Sequence, residues 1–388
     1  MDAGSHERRR FALVIHALDV GGAQQSTVNL ARAWPSSSDC LLVSGRSGDF
    51  AARIPSSIDL RLIATEWPSP IGMIKFALAL RRLIMHEGVS GLLTNSFGTS
   101  RFVLLLKKMR IIPASAVIVI ERSTLSVKVK GLFTSRILRR AVLLLTKWLY
   151  RGADAILGVS EGVSRDLEAA LGMTPGAVKT INDPVDALQI QELITQGVPD
   201  GLYEKFCALK RPIVLTAGRM VSAKGHSDLL DAFARLPKTS RGSLVILGDG
   251  PLRQSIEEQG RTLGLSQDLW LPGFVDNPWW YMHRADLFVL SSHWEGFGLV
   301  LVEALVCGVP IVATDCPSGP REILAGVSSA SLTPVGDPSS LASAIEGALR
   351  GQHSPPETEV VLRFSPSSVA ARYESAAHAA LASVPRKR

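Results

Sequence analysis

Four cysteines in 388 residues are few and scattered: Cys40, Cys207, Cys307 and Cys316 show no paired C-x-x-C spacing. That excludes a disulfide framework and a zinc site, and a reduced, cytoplasmic setting is the plain reading. No uncharged apolar run reaches ~18 residues, so no spanning helix is expected. The longest apolar stretches, such as the one ending at Val43, are strand-sized. Arg8, Arg9 and Arg10 precede only Phe11–Ile15 before Asp19 interrupts, which is too short for a secretory signal. Internal repeats and low-complexity tracts are missing too. With 20% charged and 46% hydrophobic residues the chain is too apolar for a disordered protein. At ~150 residues per domain the length suggests two or three domains.

Acidic residues are scarce in one place. From Arg101 to Arg151 there are twelve basic residues and one acidic residue, Glu121. The net charge of +7 lies wholly in residues 1–200, which hold 24 Lys+Arg and 17 Asp+Glu; residues 201–388 hold 18 of each. The basic residues alternate with Phe102, Leu104–Leu106, Leu132, Phe133, Ile137, Leu138, Leu143–Leu145 and Trp148. A basic amphipathic segment of this kind reads as a surface for anionic lipid, each cation adding ~1 kcal/mol. A solvated helix face over an ordinary core is the commoner origin of charge runs. Nucleic acid is not expected as a partner: the interleaved aromatics are too few for a stacking platform, and no nucleic-acid motif occurs.

Strand-like segments at Phe11–His16, Cys40–Ser44, Leu60–Ala64, Gly91–Thr94, Ala116–Ile120 and Ala155–Val159 alternate with helical stretches. A second alternation starts at Ile213–Ala217 and continues through Ser243–Leu247, Leu269–Leu271, Leu287–Ser291 and Pro310–Ala313. Such alternation is the signature of βαβ units and parallel sheets. The expected architecture is α/β, two doubly wound Rossmann-like domains facing a central cleft. The boundaries read as 1–185 for the first domain, 186–211 for a linker, 212–364 for the second domain, and 365–388 for a C-terminal helix with a basic tail.

The strongest motif runs Ser291-Ser292-His293-Trp294-Glu295-Gly296-Phe297-Gly298-Leu299-Val300-Leu301-Val302-Glu303. It follows a strand and opens a helix, so glycine-flanked backbone N–H groups at the helix start favour an anion, typically a phosphate. Glu303 sits one to two turns into that helix, placed to accept from two vicinal hydroxyls. Glu295 is placed to meet another part of the same ligand. A second loop, Gly218-Arg219-Met220-Val221-Ser222-Ala223-Lys224-Gly225, carries two cations five residues apart that can converge on a diphosphate. Gly248-Asp249-Gly250-Pro251 and Gly21-Gly22-Ala23 are further strand-to-helix turns. None of them fits G-x-G-x-x-G, so a nicotinamide or flavin site is not supported.

Together these residues resemble the GT-B glycosyltransferases, in particular the retaining family 4. The resemblance spans nearly the whole chain. It rests on Gly21-Gly22-Ala23, Gly218-Arg219 with Lys224-Gly225, Gly248-Asp249-Gly250-Pro251-Leu252, Gly273-Phe274-Val275, and Glu295 with Glu303 as an E-x7-E pair. The run Cys307-Gly308-Val309-Pro310 resembles the family as well, and Cys316-Pro317-Ser318-Gly319-Pro320-Arg321-Glu322 is similar to a subgroup that builds bacterial surface glycans. The resemblance implies that Glu303 holds ribose hydroxyls of a nucleotide sugar. It implies that Glu295 and the backbone of Gly296, Phe297, Gly298 and Leu299 orient the donor, and that Arg219 and Lys224 stabilise the leaving diphosphate. By the same resemblance the loop holding Val275 would read the base edge, and Gly22 would approach the diphosphate from the other domain.

The sequence departs from the family twice. Many relatives carry a His after the fourth or fifth strand; here Ile120 is followed by Glu121-Arg122-Ser123. Relatives often carry Asn before Pro-Val-Asp; here it is Asp183. His16, Glu121 and Arg122 remain candidates for contact with acceptor or donor sugar. For His16, His283 and His293 a polar residue at a strand end is the blander reading. The expected function is retaining transfer from a nucleotide-diphosphate sugar, UDP favoured, to a lipid-linked or other glycan acceptor at the cytoplasmic face of the membrane. No metal or other cofactor is expected. A catalytically silent nucleotide-sugar or glycan-binding subunit, and a nucleotide-sugar epimerase of the same fold, are the alternatives.

Overall fold

Strands buried on both faces read as unbroken apolar runs. Phe11–Val14, Val117–Ile120, Val214–Leu215 and Phe288–Val289 are fully buried. The computed structural model of the chain describes residues 9–384 apart from 20, 49–50, 52–53, 64–68, 114, 199 and 352–357. The basic tail Arg386–Arg388 therefore lies outside the described residues. Two compact units result: Met1–Pro184 with Ser365–Arg388, and Val185–Phe364.

The first unit holds β1 (Arg10–Ile15), β2 (Asp39–Ser44), β3 (Asp59–Leu62), β4 (Val89–Thr94), β5 (Ala116–Glu121), β6 (Ala155–Gly158) and β7 (Lys179–Thr180). They form one sheet in the order β3-β2-β1-β4-β5-β6-β7, with every pair parallel. The second holds β8 (Ile213–Ala217), β9 (Ser243–Leu247), β10 (Leu269–Gly273), β11 (Leu287–Leu290), β12 (Ile311–Thr314) and β13 (Ala330–Thr333). Their order is β10-β9-β8-β11-β12-β13, again parallel throughout. Each sheet reverses direction of growth once, between β1 and β4 and between β8 and β11. Loops leaving the carboxyl ends of those strands part to opposite sides, which is where open α/β sheets take ligands. Among the described residues no helix is long and apolar enough to cross a membrane.

The stretch expected as a linker contains the helices Ala187–Thr195 and Asp200–Cys207, which belong to the second unit. Phe206 is buried edge-on against Trp280 and Tyr281, and Asn277 Nδ2 donates to Leu193 O at 2.7 Å. Those contacts hold the segment down where polar composition alone suggested a loose connector. The C-terminal helix, Pro366–Ala382, returns to the first unit. Tyr373 donates to Ile181 O and Arg372 to Thr180 O, while Glu374 accepts from Ser37 and Ser38.

Arg122 closes the carboxyl end of the first sheet from inside. Its guanidinium donates to Asn95 Oδ1, to Ser26 Oγ at 2.7 Å and to Asp183 Oδ1. Ser26 Oγ also donates to Asp183 at 2.7 Å. The Arg122 and Asp183 side chains are 8% and 5% exposed. Removing one partner of so buried a pair strands the other charge. Asp183→Ala is expected to destabilise the chain by ~3–5 kcal/mol, read as a fall in the chemical-denaturation midpoint. Ser26→Ala, which removes a neutral member of the network, is expected to cost less.

Candidate functional site

The loops after β8 and β11 are joined by their backbones. Ser222–Lys224 is a 3-10 turn, followed by Gly225 at φ +58°. A Cβ on Gly225 would lie 2.0 Å from Ser291 O, so only glycine admits this approach. Ser291 Oγ donates to Lys224 O at 2.9 Å and the His293 N–H to Ala223 O at 2.8 Å. Lys224 Nζ then donates to Glu295 Oε1 at 2.6 Å, with the side chains 22% and 10% exposed. Ser292 Oγ donates to the same oxygen at 2.7 Å. Two residues 71 positions apart thus form one charged centre at the sheet's reversal point.

Arg219, five residues before Lys224, is exposed; its carbonyl accepts from the Val221 N–H at 2.8 Å, while its guanidinium has no hydrogen-bond or ion-pair partner among the described residues. The Gly248–Pro251 turn supports its loop: the Met220 N–H donates to Asp249 O, and the Leu252 N–H to Met220 O. Gly298, at φ +93°, precedes the helix Leu299–Cys307, whose first turn no side chain caps. The Leu301 N–H turns back to Gly298 O at 2.8 Å, and the dipole of the helix start favours an anion there. Gly319, at φ +98°, brings the loop after β12 under Phe297; a Cβ there would meet Phe297 O at 1.7 Å. Phe297 itself packs against Phe364 with ring centroids 5.4 Å apart, so only its backbone is available to a ligand. Val275 is buried after β10, beside the exposed Phe274.

Glu303 lies one turn into the helix, partly exposed at its own surface but surrounded by protein. Burial pushes its carboxyl up to about 7; the Trp279 indole N–H and the Lys224 cation offset part of the rise. The Trp279 nitrogen is buried and makes no regular hydrogen bond among the described residues. It stands beside the Glu303 carboxyl and interacts with it outside regular hydrogen-bond geometry. Ser292 and Trp279 belong to this centre; Ser292 stood in the quoted motif without a role of its own, its place three residues before Glu295 being the available signal, and Trp279 read from the sequence as a packing or sugar-stacking residue. His293 Nε2 is bonded to Asp228 at 2.8 Å and His283 Nδ1 to Cys307 O at 2.9 Å.

Gly22, His16, Glu121 and Arg122 belong to the first unit. Gly22 opens the helix Gly22–Arg32 and is exposed. Glu121 ends β5 fully buried and accepts from Tyr150. The expectation that Glu121 contacts a sugar is corrected on that ground: the carboxyl is enclosed in the sheet. Arg122 is likewise committed to Asn95, Ser26 and Asp183, apart from one nitrogen. His16 follows β1, and its Nδ1 is buried without a partner.

A carboxyl raised in the folded state is a cost above its folded value and none below its unfolded value. The Glu303 cost thus grows from about pH 4.5 and is complete above about 7, on the order of 3 kcal/mol. Glu303→Gln is expected to raise the thermal midpoint at pH 8 and leave it unchanged at pH 4.5. Thermal melts at the two pH values check it.

Residues 204–360 match the family model for glycosyl transferases group 1, and residues 21–182 match the glycosyl transferase 4-like domain. Among similar proteins is N-acetylgalactosamine-N,N'-diacetylbacillosaminyl-diphospho-undecaprenol 4-alpha-N-acetylgalactosaminyltransferase of Campylobacter jejuni, 34% identical over 175 residues, 45% of each chain. Another is the 2-deoxystreptamine N-acetyl-D-glucosaminyltransferase of Niallia circulans, 34% identical over 176 residues, 42% of this chain and 44% of that one. The aligned region spans under half the length of these two relatives. Anabaena HepE, solved with UDP and glucose, has the same fold: TM-score 0.78, 18% identity, covering 95% of this chain and 99% of that one. The two matched halves, the two parallel-sheet units and the group 1 motif on the β11 loop make the chain a member of the GT-B glycosyltransferases of the family 4 type.

Proposed function

We propose that the chain transfers a sugar from a UDP-sugar to a lipid-linked glycan acceptor in bacterial surface polysaccharide synthesis, with retention at the anomeric carbon. The observation that carries this reading is the Lys224–Glu295 centre beside an uncapped helix N-terminus. Departure of a nucleoside diphosphate develops negative charge, and fixed cations and N–H groups stabilise it without reorganising. Lys224 keeps two further N–H donors after its bond to Glu295, and Arg219 is free to reach a phosphate oxygen. Neither group waits on a metal in this scheme. Glu303 accepts ribose hydroxyls in its ionised form. One relative named for a diphospho-undecaprenol glycan, and a structural neighbour holding UDP, support the choice of acceptor and base.

The acceptor's lipid places the reaction at a membrane, and the first unit has a fitting face. The helix Arg136–Tyr150 leaves Ile137 82% exposed, with Leu138, Leu144, Leu145 and Trp148 also exposed. Arg136 and Arg140 are exposed on the same helix. Leucine and tryptophan enter the headgroup boundary while the cations meet anionic lipid.

A thermal-shift panel of UDP, GDP and ADP tests the donor site: UDP is expected to raise the midpoint by mass action. No response to any of them removes the reading. Glu303→Gln is expected to weaken UDP binding, whereas Arg219→Ala retains it and lowers kcat by roughly 100-fold or more, the scale for losing one transition-state donor. Sedimentation with phosphatidylglycerol vesicles tests the membrane face: Ile137→Asp with Leu144→Asp is expected to abolish binding and leave the UDP shift intact.

A further inference from the structure

The carboxyl ends of β1, β4 and β5 gather a second group of cations that the donor chemistry above does not use. Arg101 lies over the Phe97 ring, 4.8 Å from its centroid, and Lys128 lies 5.2 Å from the same centroid. Phe97 is buried at the start of the helix Phe97–Lys108, directly after β4; Lys128 comes from the helix Leu125–Leu132, directly after β5. Neither cation has a carboxylate ion pair or a hydrogen bond among the described residues, and Arg101 Nε is buried without a partner. His16 leaves β1 two residues after Val14, the partner of Thr94 in β4, and its Nδ1 is also buried and unpartnered; burial chiefly lowers its protonation, Asp19 opposes this, and Arg46 and Lys128 add to it. Both cations act on Glu121, whose burial favours the neutral carboxyl, and Asp19, the acid that acts on His16, is paired with Arg46 at 2.6 Å.

Buried polar atoms are ordinarily satisfied, so three elements converging with unspent donors ask for a missing acceptor. Unpaired cations around an aromatic ring, at the point where the sheet order reverses, are suited to a multiply charged anion. Arg supplies a planar fork and Lys a compact charge, a combination that matches phosphate oxygens better than a single carboxylate. We propose that His16, Arg101 and Lys128, walled by Phe97, form an anion subsite of the first unit that takes a phosphate or diphosphate group. Its natural source, the diphosphate of a lipid-linked acceptor, rests on the function proposed above; the anion binding itself does not.

Calorimetry with inorganic pyrophosphate on the full chain, in a Lys224→Gln background that weakens the second unit's cation centre, tests it. Pyrophosphate is expected to bind, and Arg101→Gln with Lys128→Gln to weaken it at least tenfold while far-UV circular dichroism stays unchanged. Lys128→Gln alone, at a partly exposed position, is expected to act in the same direction with a smaller loss, and decides the matter if the double variant does not fold. No pyrophosphate binding, or binding unaffected by Lys128→Gln, overturns the subsite. Farnesyl diphosphate and phosphatidylglycerol vesicles separate the sources. Loss confined to farnesyl diphosphate assigns a diphosphate ligand, and loss confined to vesicles assigns a lipid headgroup. A chain that binds pyrophosphate but shows no response to UDP keeps the subsite and removes the proposed function.

Discussion

The second unit's site depends on the meeting of two loops that leave adjacent strands in opposite directions. β8 and β11 are neighbours because the sheet order reverses between them. Their loops would separate if nothing tied them. Gly225 removes the side chain that would keep the backbones apart, and Lys224 supplies the cation that a nearly buried Glu295 requires. The helix Leu299–Cys307 is aimed by the same segment, three residues further on. Its uncapped N-terminus, the Lys224 cation and the Glu303 carboxyl therefore share one frame, and a change in any tie moves all three.

Charge is handled differently in the two units. In the first, the Arg122–Asp183 pair is enclosed with Ser26 and Asn95 and works as a structural clamp on the strand ends. In the second, the Lys224–Glu295 pair is more exposed, and the same loop carries an exposed Arg219. A buried, fully bonded pair gives rigidity; a half-open pair with spare donors can exchange partners with a ligand. The same contrast separates Arg122, whose donors are nearly all spent, from Arg101 and Lys128, which rest on an aromatic ring.

The strands were readable because parallel strands buried on both faces are short, continuous apolar runs. Ser243–Leu247 and Ile213–Ala217 agree with expectation to the residue. The edge elements were not readable. β7 has two residues, and β13, Ala-Ser-Leu-Thr, is only partly buried, so neither carries a run that stands out. The helices at 187–195 and 200–207 were passed over because their packing partners, Trp280, Tyr281 and Asn277, come some 70–90 positions later in the chain.

The sequence by itself determined the two-sheet α/β class and the local motifs whose chemistry sits within a dozen residues: the E-x7-E segment, the glycine turns and the Arg219–Lys224 loop. Backbone propensity and apolar period act over that range, so they are legible without a partner. Tertiary structure alone decided which charges are neutralised. Arg122 and Asp183 each look like a departure from the family pattern when read singly, yet they bond to each other across 61 residues. Lys224 finds Glu295 across 71. Burial decides the cost of a charge and proximity decides its partner, and both are properties of the folded chain.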